Sequence, residues 1–103
     1  MNIQHLNIKI TGQVQGVFFR NSTKEIADQL KVKGFVQNLA DGSLYIEAEG
    51  SKIALEKFID WCHHGPDLAM IQNIEIKDSQ LKNFTSFEIV YGLTKKDNHP
   101  NWC

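Results

Sequence analysis

Residues 12–20, Gly-Gln-Val-Gln-Gly-Val-Phe-Phe-Arg, have the residue types of an anion-binding loop. A glycine-bearing turn that leads into a helix exposes several backbone N–H groups beside the positive end of the helix dipole. Gly16 can adopt a positive φ without steric cost, so the backbone can curve around an anion. Arg20 ends the segment, and its planar guanidinium can hold two oxygens of a phosphate or a carboxylate. We therefore expect an anion site here. The alternative that the residues leave open is a tight connection with Arg20 as a surface charge.

This loop matches neither of the common nucleotide-binding motifs. Gly12 and Gly16 are separated by three residues and no Gly-Lys-Ser/Thr follows them, which excludes a Walker loop. The chain also has no Gly-x-Gly-x-x-Gly, the motif that binds dinucleotides. Nucleotide binding is therefore disfavoured, and a simpler anion is expected.

Asn38 is the second candidate for chemistry. Its side-chain amide both donates and accepts hydrogen bonds, so it can orient a water molecule without removing its proton. Asn38 also precedes Asp41-Gly42, and asparagine is common near turns, so a structural role is the open alternative. In a split βαβ sheet the first and central strands are neighbours, which predicts that Asn38 lies within reach of the loop.

The run Cys62-His63-His64 does not have the spacing of a metal site. Consecutive residues on a helix point in different directions, and the sequence has no second pair of ligands at a suitable spacing. We expect His63 and His64 to interact with the last carbonyls of a helix, and we expect no metal and no cofactor. Cys62 and Cys103 are expected to be free thiols, and a bridge between them in an oxidising setting is the alternative.

The charge composition limits the possible partners. Eleven basic residues, of which Arg20 is the one arginine, stand against twelve acidic residues, and the formal net charge is −1. Nucleic acids and membrane surfaces draw affinity from clustered Lys and Arg, so neither is expected as a partner. The sequence has no apolar run near the roughly 18–20 residues of a membrane span, and no signal peptide at its start. A cytoplasmic location is expected.

Periodicity predicts the elements that must position these residues. Alternating apolar residues at 6, 8 and 10 are typical of a strand with one buried face. Ser22 and Glu25 have the spacing of a capping box, which predicts a helix that starts at Ser22 and ends near Val32 or Lys33, before Gly34.

The rest of the chain predicts four further strands and one further helix. Asp41-Gly42 separates two short apolar runs and is a strong hairpin signal. Ser51 is placed to cap a second helix, which continues at helical spacing until Gly65-Pro66. Two more strands are predicted around residues 74–76 and 87–91.

This order is β-α-β-β-α-β with an extra fifth strand, which indicates an α+β fold of the ferredoxin-like, split βαβ type. Such a sandwich has an antiparallel sheet with two helices on one face. A length of 103 residues fits one domain. We expect the domain to span residues 1–91, with a polar C-terminal tail at 92–103 in which Trp102 can dock. Fold alone does not decide function, because this architecture hosts enzymes, metal chaperones and RNA binders.

Two linked segments resemble the signatures of the acylphosphatase family. Residues 12–20 resemble its Gly-x-Val-Gln-Gly-Val-x-Phe-Arg loop, and residues 34–44, Gly-Phe-Val-Gln-Asn-Leu-Ala-Asp-Gly-Ser-Leu, resemble its second signature. The likeness covers roughly residues 5–91. Departures are mild: Phe35 stands where many members carry Trp, and Leu44 where Val is usual.

The resemblance implies a metal-independent hydrolase of acyl phosphates, which releases a carboxylate and inorganic phosphate. By this likeness Asn38 positions the attacking water, and the phosphate is bound by Arg20 and by loop amides, namely those of Gln15, Gly16, Val17, Phe18 and Phe19. The substrate is a small acyl phosphate, inorganic phosphate is product and competitive inhibitor, and a monomer is the simplest state. A binding module that holds phosphate or a related anion without turnover is the competing interpretation.

Overall fold

The computed structural model describes residues 2–93, which form five strands and two helices. The predicted element order, including the fifth strand, is confirmed. The predicted tail lies outside the described residues apart from 92 and 93, which end the last strand, and so do Trp102 and Cys103. In chain order the elements are β1 (Ile3–Gln13), α1 (Phe19–Leu30), β2 (Lys33–Asn38), β3 (Leu44–Ser51), α2 (Lys52–Cys62), β4 (Met70–Ser79) and β5 (Phe87–Leu93).

The five strands form one sheet in the order β4-β1-β3-β2-β5. Four strands pair antiparallel, whereas β5 pairs parallel to β2, so the sheet is mixed rather than wholly antiparallel. The main core lies between the sheet and the two helices, because the inward residues of β1 and β3 pack with buried residues of α1 and α2. These include Ile8, Ile10, Ala27, Leu44, Ile46, Leu55 and Phe58.

Helix α1 starts at Phe19, three residues before the predicted start, and the capping box does not form. Its N-cap is Phe18, and no side chain caps it. The amide of Ser22 donates to the carbonyl of Phe18 at 3.1 Å, so Ser22 already lies inside the first turn. The hydroxyl of Thr23 donates to the carbonyl of Phe19 at 2.7 Å. The apparent cap is therefore in the helix interior.

The predicted end of α1 also differs from the structure. The helix ends at Leu30, and Lys31 takes the left-handed conformation that closes it. Gly34 instead lies in β2 with φ near 143°, where an added Cβ would lie 1.8 Å from the carbonyl oxygen of Glu47. Gly34 therefore permits the close approach of β2 and β3 rather than a helix cap.

Helix α2 begins where expected, but it ends at Cys62, so that His63 and His64 follow the last turn rather than lie in it. The Ser51 side chain accepts from the amide of Ala54 at 3.1 Å, as a capping serine does. At its C-terminal end, Nδ1 of His63 lies 3.0 Å from the carbonyl of Ile59, and Nδ1 of His64 lies near that of Asp60. Cys62 is fully buried, and burial raises the pKa of its thiol. Among residues 2–93, neither helix has the length and apolar composition of a membrane-spanning segment.

The face of the sheet opposite the helices carries a buried polar network that the sequence did not reveal. The His5 ring lies between two carboxylates, 2.9 Å from Glu47 and 2.8 Å from Glu49. Glu49 also accepts hydrogen bonds from three consecutive backbone amides, those of Lys82, Asn83 and Phe84. One buried carboxylate therefore holds the connection between β4 and β5 against the sheet.

The network keeps its carboxylates ionised despite their burial. Burial alone raises the pKa of Glu49, but the hydrogen bonds from the Lys82 amide, the His5 ring and the amides of Phe84 and Asn83 outweigh it. The pKa therefore lies below its usual range. The pKa of Glu47 is lowered in the same way, because hydrogen bonds from Tyr45 and Lys82 outweigh the effect of burial.

Glu49→Gln is expected to lower the free energy of unfolding by about 2 kcal/mol at pH 7, since it removes hydrogen bonds to a charged acceptor. The folded pKa of Glu49 is depressed, so its contribution is present above the ordinary carboxyl pKa and is lost as the pH falls through the folded value. Urea unfolding of the wild type and the variant at pH 7 and below pH 4 measures the difference between their free energies of unfolding, which should shrink in acid. Glu75→Gln, an exposed carboxylate on β4, is the control. Equal effects of the two substitutions at pH 7 would contradict the network.

Candidate functional site

A cavity of about 300 Å³ opens where the connection between β1 and α1 meets the ends of β2 and β5. It brings together residues from both ends of the described chain. The lining side chains and backbone belong to Val14, Gly16, Phe18, Phe19, Arg20, Asn21, Asn38 and Tyr91. Arg20 and Asn38, the two residues that the sequence singles out for chemistry, therefore border one space.

The N-terminus of α1 faces this cavity without a side-chain cap. The first N–H groups of an α-helix have no intrahelical acceptor, so those of Phe19, Arg20 and Asn21 are donors of this type. They lie at the positive end of the helix dipole, where an anion is stabilised. The absence of a cap therefore leaves the helix start available to an anionic group.

The backbone of the loop turns through two left-handed residues, Gly16 with φ 75° and Phe18 with φ 64°. An added Cβ at Gly16 would meet no atom within 4 Å, so this glycine is required by its φ and not by close packing. Adjacent left-handed and right-handed residues direct successive N–H groups to one side, a backbone geometry that is suited to an anion. The expected curvature of the loop at Gly16 is present.

Gln15 ties this loop to the turn that follows β2. Its Nε2 donates to the carbonyl of Leu39 at 2.8 Å and to the carbonyl of Ser43 at 2.9 Å. The Gln15 side chain therefore holds the loop in place, and it does not line the cavity.

The turn after β2 is itself ordered by Asp41, whose pKa is lowered to about 2. A hydrogen bond from the Ser43 side chain is the largest cause, and Lys9 at 3.0 Å assists it against the effect of burial.

Val17 and Phe19 anchor the loop from the other side. Both side chains are buried in the main core. The Phe19 ring packs edge-to-face against Trp61 of α2, with ring centroids 5.5 Å apart. Their side chains brace the backbone, and only backbone atoms of these positions are suited to meet an anion.

The Arg20 side chain contacts β5. Its Nη1 lies 3.5 Å from the carbonyl oxygen of Val90, and its guanidinium carbon lies 5.2 Å from the centroid of the Tyr91 ring. The pairing of β2 with β5 shifts here, because Gln37 pairs with Val90 whereas Asn38 pairs with Leu93. The residues between form a bulge, and bulges redirect side chains at the edges of sites. Tyr91 lies in that bulge, under Arg20.

Asn38 lines the cavity for a different structural reason from the expected one. It is the last residue of β2, and β3 separates β2 from β1, so the first strand is not its neighbour. Asn38 faces the loop because both lie at the same end of the sheet, where Gln15 bonds to the turn after Asn38. Asn38 is partly buried and lines the cavity.

Three cavity residues were missed at the level of the sequence: Val14, Asn21 and Tyr91. Asn21 would have followed from the true start of α1, since it is a first-turn residue. The bulge that places Tyr91 has no sequence signal in an otherwise regular alternation. Within residues 2–93 no group of three or more His, Cys, Asp or Glu side chains is arranged to hold a metal ion.

Comparison with known proteins identifies one family for this chain. A family model described as acylphosphatase matches residues 6–89. The chain is 43% identical to the acylphosphatase of Archaeoglobus fulgidus over 84% of this chain and 97% of that protein. The crystal structure of acylphosphatase from Bacillus subtilis matches with a TM-score of 0.83 and 35% identity, and covers 85% of this chain and 99% of that one.

A part of a much larger protein is also similar. The crystal structure of full-length HypF in its phosphate- and nucleotide-bound form matches with a TM-score of 0.83 and 37% identity. The match covers 87% of this chain but only 12% of HypF. This fold therefore also occurs as a small part of a longer chain.

Gln15→Ala is expected to loosen the loop, because the substitution removes both hydrogen bonds to the turn after β2. The free energy of unfolding should fall by about 1 kcal/mol. The loop amides from Gly16 to Phe19 should exchange with solvent deuterium faster than in the wild type, as measured by NMR. Gln29→Ala, at an exposed position of α1, is the control and should change neither quantity appreciably. Unchanged exchange in Gln15→Ala would show that the tether does not order the loop.

Proposed function

Because the chain belongs to the acylphosphatase family and is therefore a hydrolase of acyl phosphates, we propose that the cavity bordered by Arg20 and Asn38 is its active site. One observation carries the proposal. Arg20, Asn38 and the uncapped start of α1, which are separate in sequence, line the same space of about 300 Å³. An anionic group and a neighbouring water can be held there together.

The phosphate of the substrate is bound by Arg20 and by the loop amides from Gln15 to Phe19. Arg20 offers a planar fork of donors that matches two phosphate oxygens. The curved backbone at Gly16 and the first turn of α1 add backbone N–H donors around the remaining oxygens. Phosphoryl transfer requires mainly positioning and stabilisation of charge on the equatorial oxygens, and these groups supply both.

Asn38 orients the water that attacks phosphorus. As a neutral amide it accepts from or donates to water without changing its own protonation state. The new bond forms between the water oxygen and phosphorus, and the bond from phosphorus to the acyl oxygen breaks. The carboxylate leaves with the electron pair, and both protons of the water remain with the phosphate, which is released as dihydrogen phosphate. Since a carboxylate is stable at neutral pH, no general acid is needed to protonate it.

No metal ion takes part in this proposal, since Arg20 and the amides carry the charge stabilisation. All the groups invoked belong to one chain, so a monomer is sufficient for activity. Inorganic phosphate is the product that retains contacts with the loop, and it therefore competes with substrate. The competing function, a module that holds phosphate without turnover, is favoured only by the match to a small part of HypF.

Arg20→Gln is expected to lower kcat/KM for benzoyl phosphate by about 10³-fold or more, because one preorganised cationic clamp is lost. Inhibition by inorganic phosphate should disappear with it. Hydrolysis is measured with EDTA present, and wild-type activity under that condition supports the metal-independent reaction. Lys57→Gln, an exposed cation on α2, is the matched control and should keep wild-type kinetics. Near wild-type hydrolysis by Arg20→Gln would overturn the site, whereas phosphate binding by the wild type without turnover would support the module.

Asn38→Ala is expected to lower kcat. If the amide only orients water, kcat should fall by about 10²-fold while the inhibition constant of phosphate stays near its wild-type value. Asn73→Ala, at an exposed position of β4, is the control. A large loss of phosphate affinity with unchanged kcat would assign Asn38 to binding instead.

A further inference from the structure

We propose that the side chains of Phe18 and Tyr91 form a subsite for the acyl group, so that the enzyme favours acyl phosphates with an aromatic or bulky apolar acyl group. The inference rests on the proposed function, since it places the phosphate at Arg20 and the loop amides. It adds a recognition element for the half of the substrate that those groups do not touch.

The first support for the subsite is the location of the exposed aromatic side chains. Among the described residues, Phe18 is 70% exposed and Tyr91 is 72% exposed, and both line the cavity. The other large hydrophobic residues with exposed side chains are aliphatic, and none of them lines this cavity: Ile3, Ile53, Leu68, Met70, Ile76 and Leu81. Both exposed Phe and Tyr rings of the described chain therefore line one cavity, beside the anion-binding groups.

The second support is the backbone of Phe18. This residue has φ 64° and ψ 22°, in the left-handed region that glycine occupies freely and that is unfavourable for a bulky side chain. Because the ring is largely exposed, burial in the core does not compensate for that conformation. Glycine would serve the turn better. Strained residues of this kind are characteristic of functional sites, and here the strained residue presents an aromatic ring at the cavity.

The third support is the position of Tyr91 relative to Arg20. The bulge in β5 turns Tyr91 toward the guanidinium, whose central carbon lies 5.2 Å from the ring centroid. The cation occupies part of the ring surface, yet most of the side chain stays open to solvent. An apolar group beside Arg20 would therefore contact Tyr91 and displace water from it.

The covalent structure of the substrate places its acyl group near the two rings. In an acyl phosphate only one bridging oxygen separates phosphorus from the acyl carbon, so the acyl group must lie directly beside the bound phosphate. The two rings line the same cavity as Arg20 and Asn38, and both rings are largely exposed to solvent. An aryl group can stack on or pack edge-to-face against such rings, whereas the methyl group of acetyl phosphate offers little area.

The test compares kcat/KM for benzoyl phosphate and acetyl phosphate in the wild type and in Phe18→Asn. Asparagine tolerates the left-handed conformation but has no ring. For each protein, kcat/KM for benzoyl phosphate is divided by kcat/KM for acetyl phosphate. Dividing the variant's ratio by the wild-type ratio then cancels the different intrinsic reactivities of the two substrates. We expect the ratio of benzoyl to acetyl phosphate to fall about tenfold in Phe18→Asn, the size associated with loss of one apolar pocket contact. Phe18→Trp, which keeps a ring, should hold the ratio within about twofold of wild type.

Leu68→Asn is the matched control, because it removes an exposed apolar side chain that does not line the cavity. Its ratio should equal that of the wild type. If thermal unfolding shows that Phe18→Asn is poorly folded, Phe18→Gly, which relieves the backbone strain, supplies the same measurement. An unchanged ratio in an active Phe18 variant overturns the subsite and leaves the proposed function standing. Hydrolysis of neither substrate by the wild type overturns the proposed function, and the subsite with it.

Discussion

The hydrogen bonds from the Gln15 amide to the carbonyls of Leu39 and Ser43 are the constraint on which the cavity depends. The loop after β1 carries the curved backbone at Gly16, and the turn after β2 carries Asn38 at its start. Strand β3 pairs with both β1 and β2 and brings these segments to the same end of the sheet, where Leu44 is opposite both Ile10 and Asn38. A single side chain with two donor hydrogens connects them, and the buried ring of Phe19 holds the far end of the loop in the core.

The two faces of the sheet serve different purposes. The face covered by helices is apolar, and its packing fixes where α1 starts and therefore where its unsatisfied N–H groups point. The opposite face buries His5, Glu47 and Glu49, which hold the connection between β4 and β5. That connection leads into β5, whose bulge supports Arg20. Charged groups on one face thus help to place a strand that contributes to a cavity at the end of the sheet.

Much of the fold and part of the site could be predicted from the sequence. The element order follows from the alternation of strands and from strong turn signals such as Asp41-Gly42, and the Ser51 cap follows from residue type and position. Arg20 and Asn38 were predicted as candidates because of their chemistry and their likeness to family signatures. Ser22 misled the prediction of the start of α1, because a serine inside a first turn has the same local sequence as a capping serine. Tyr91 and the network around His5 depend on register and a bulge, which are tertiary properties that local patterns do not carry.

The last strand has a consequence for the order in which the molecule assembles. Arg20 contacts Val90, a residue 70 positions further along the chain. Pairings between such distant segments require closure of a long loop before they contribute any stability, and they form late compared with helices and hairpins. During synthesis, β1, α1, β2, β3 and α2 can all emerge before the strand that supports the arginine exists. A nascent or truncated chain that ends before β5 would therefore carry the loop and the helix start but lack the wall beneath the guanidinium.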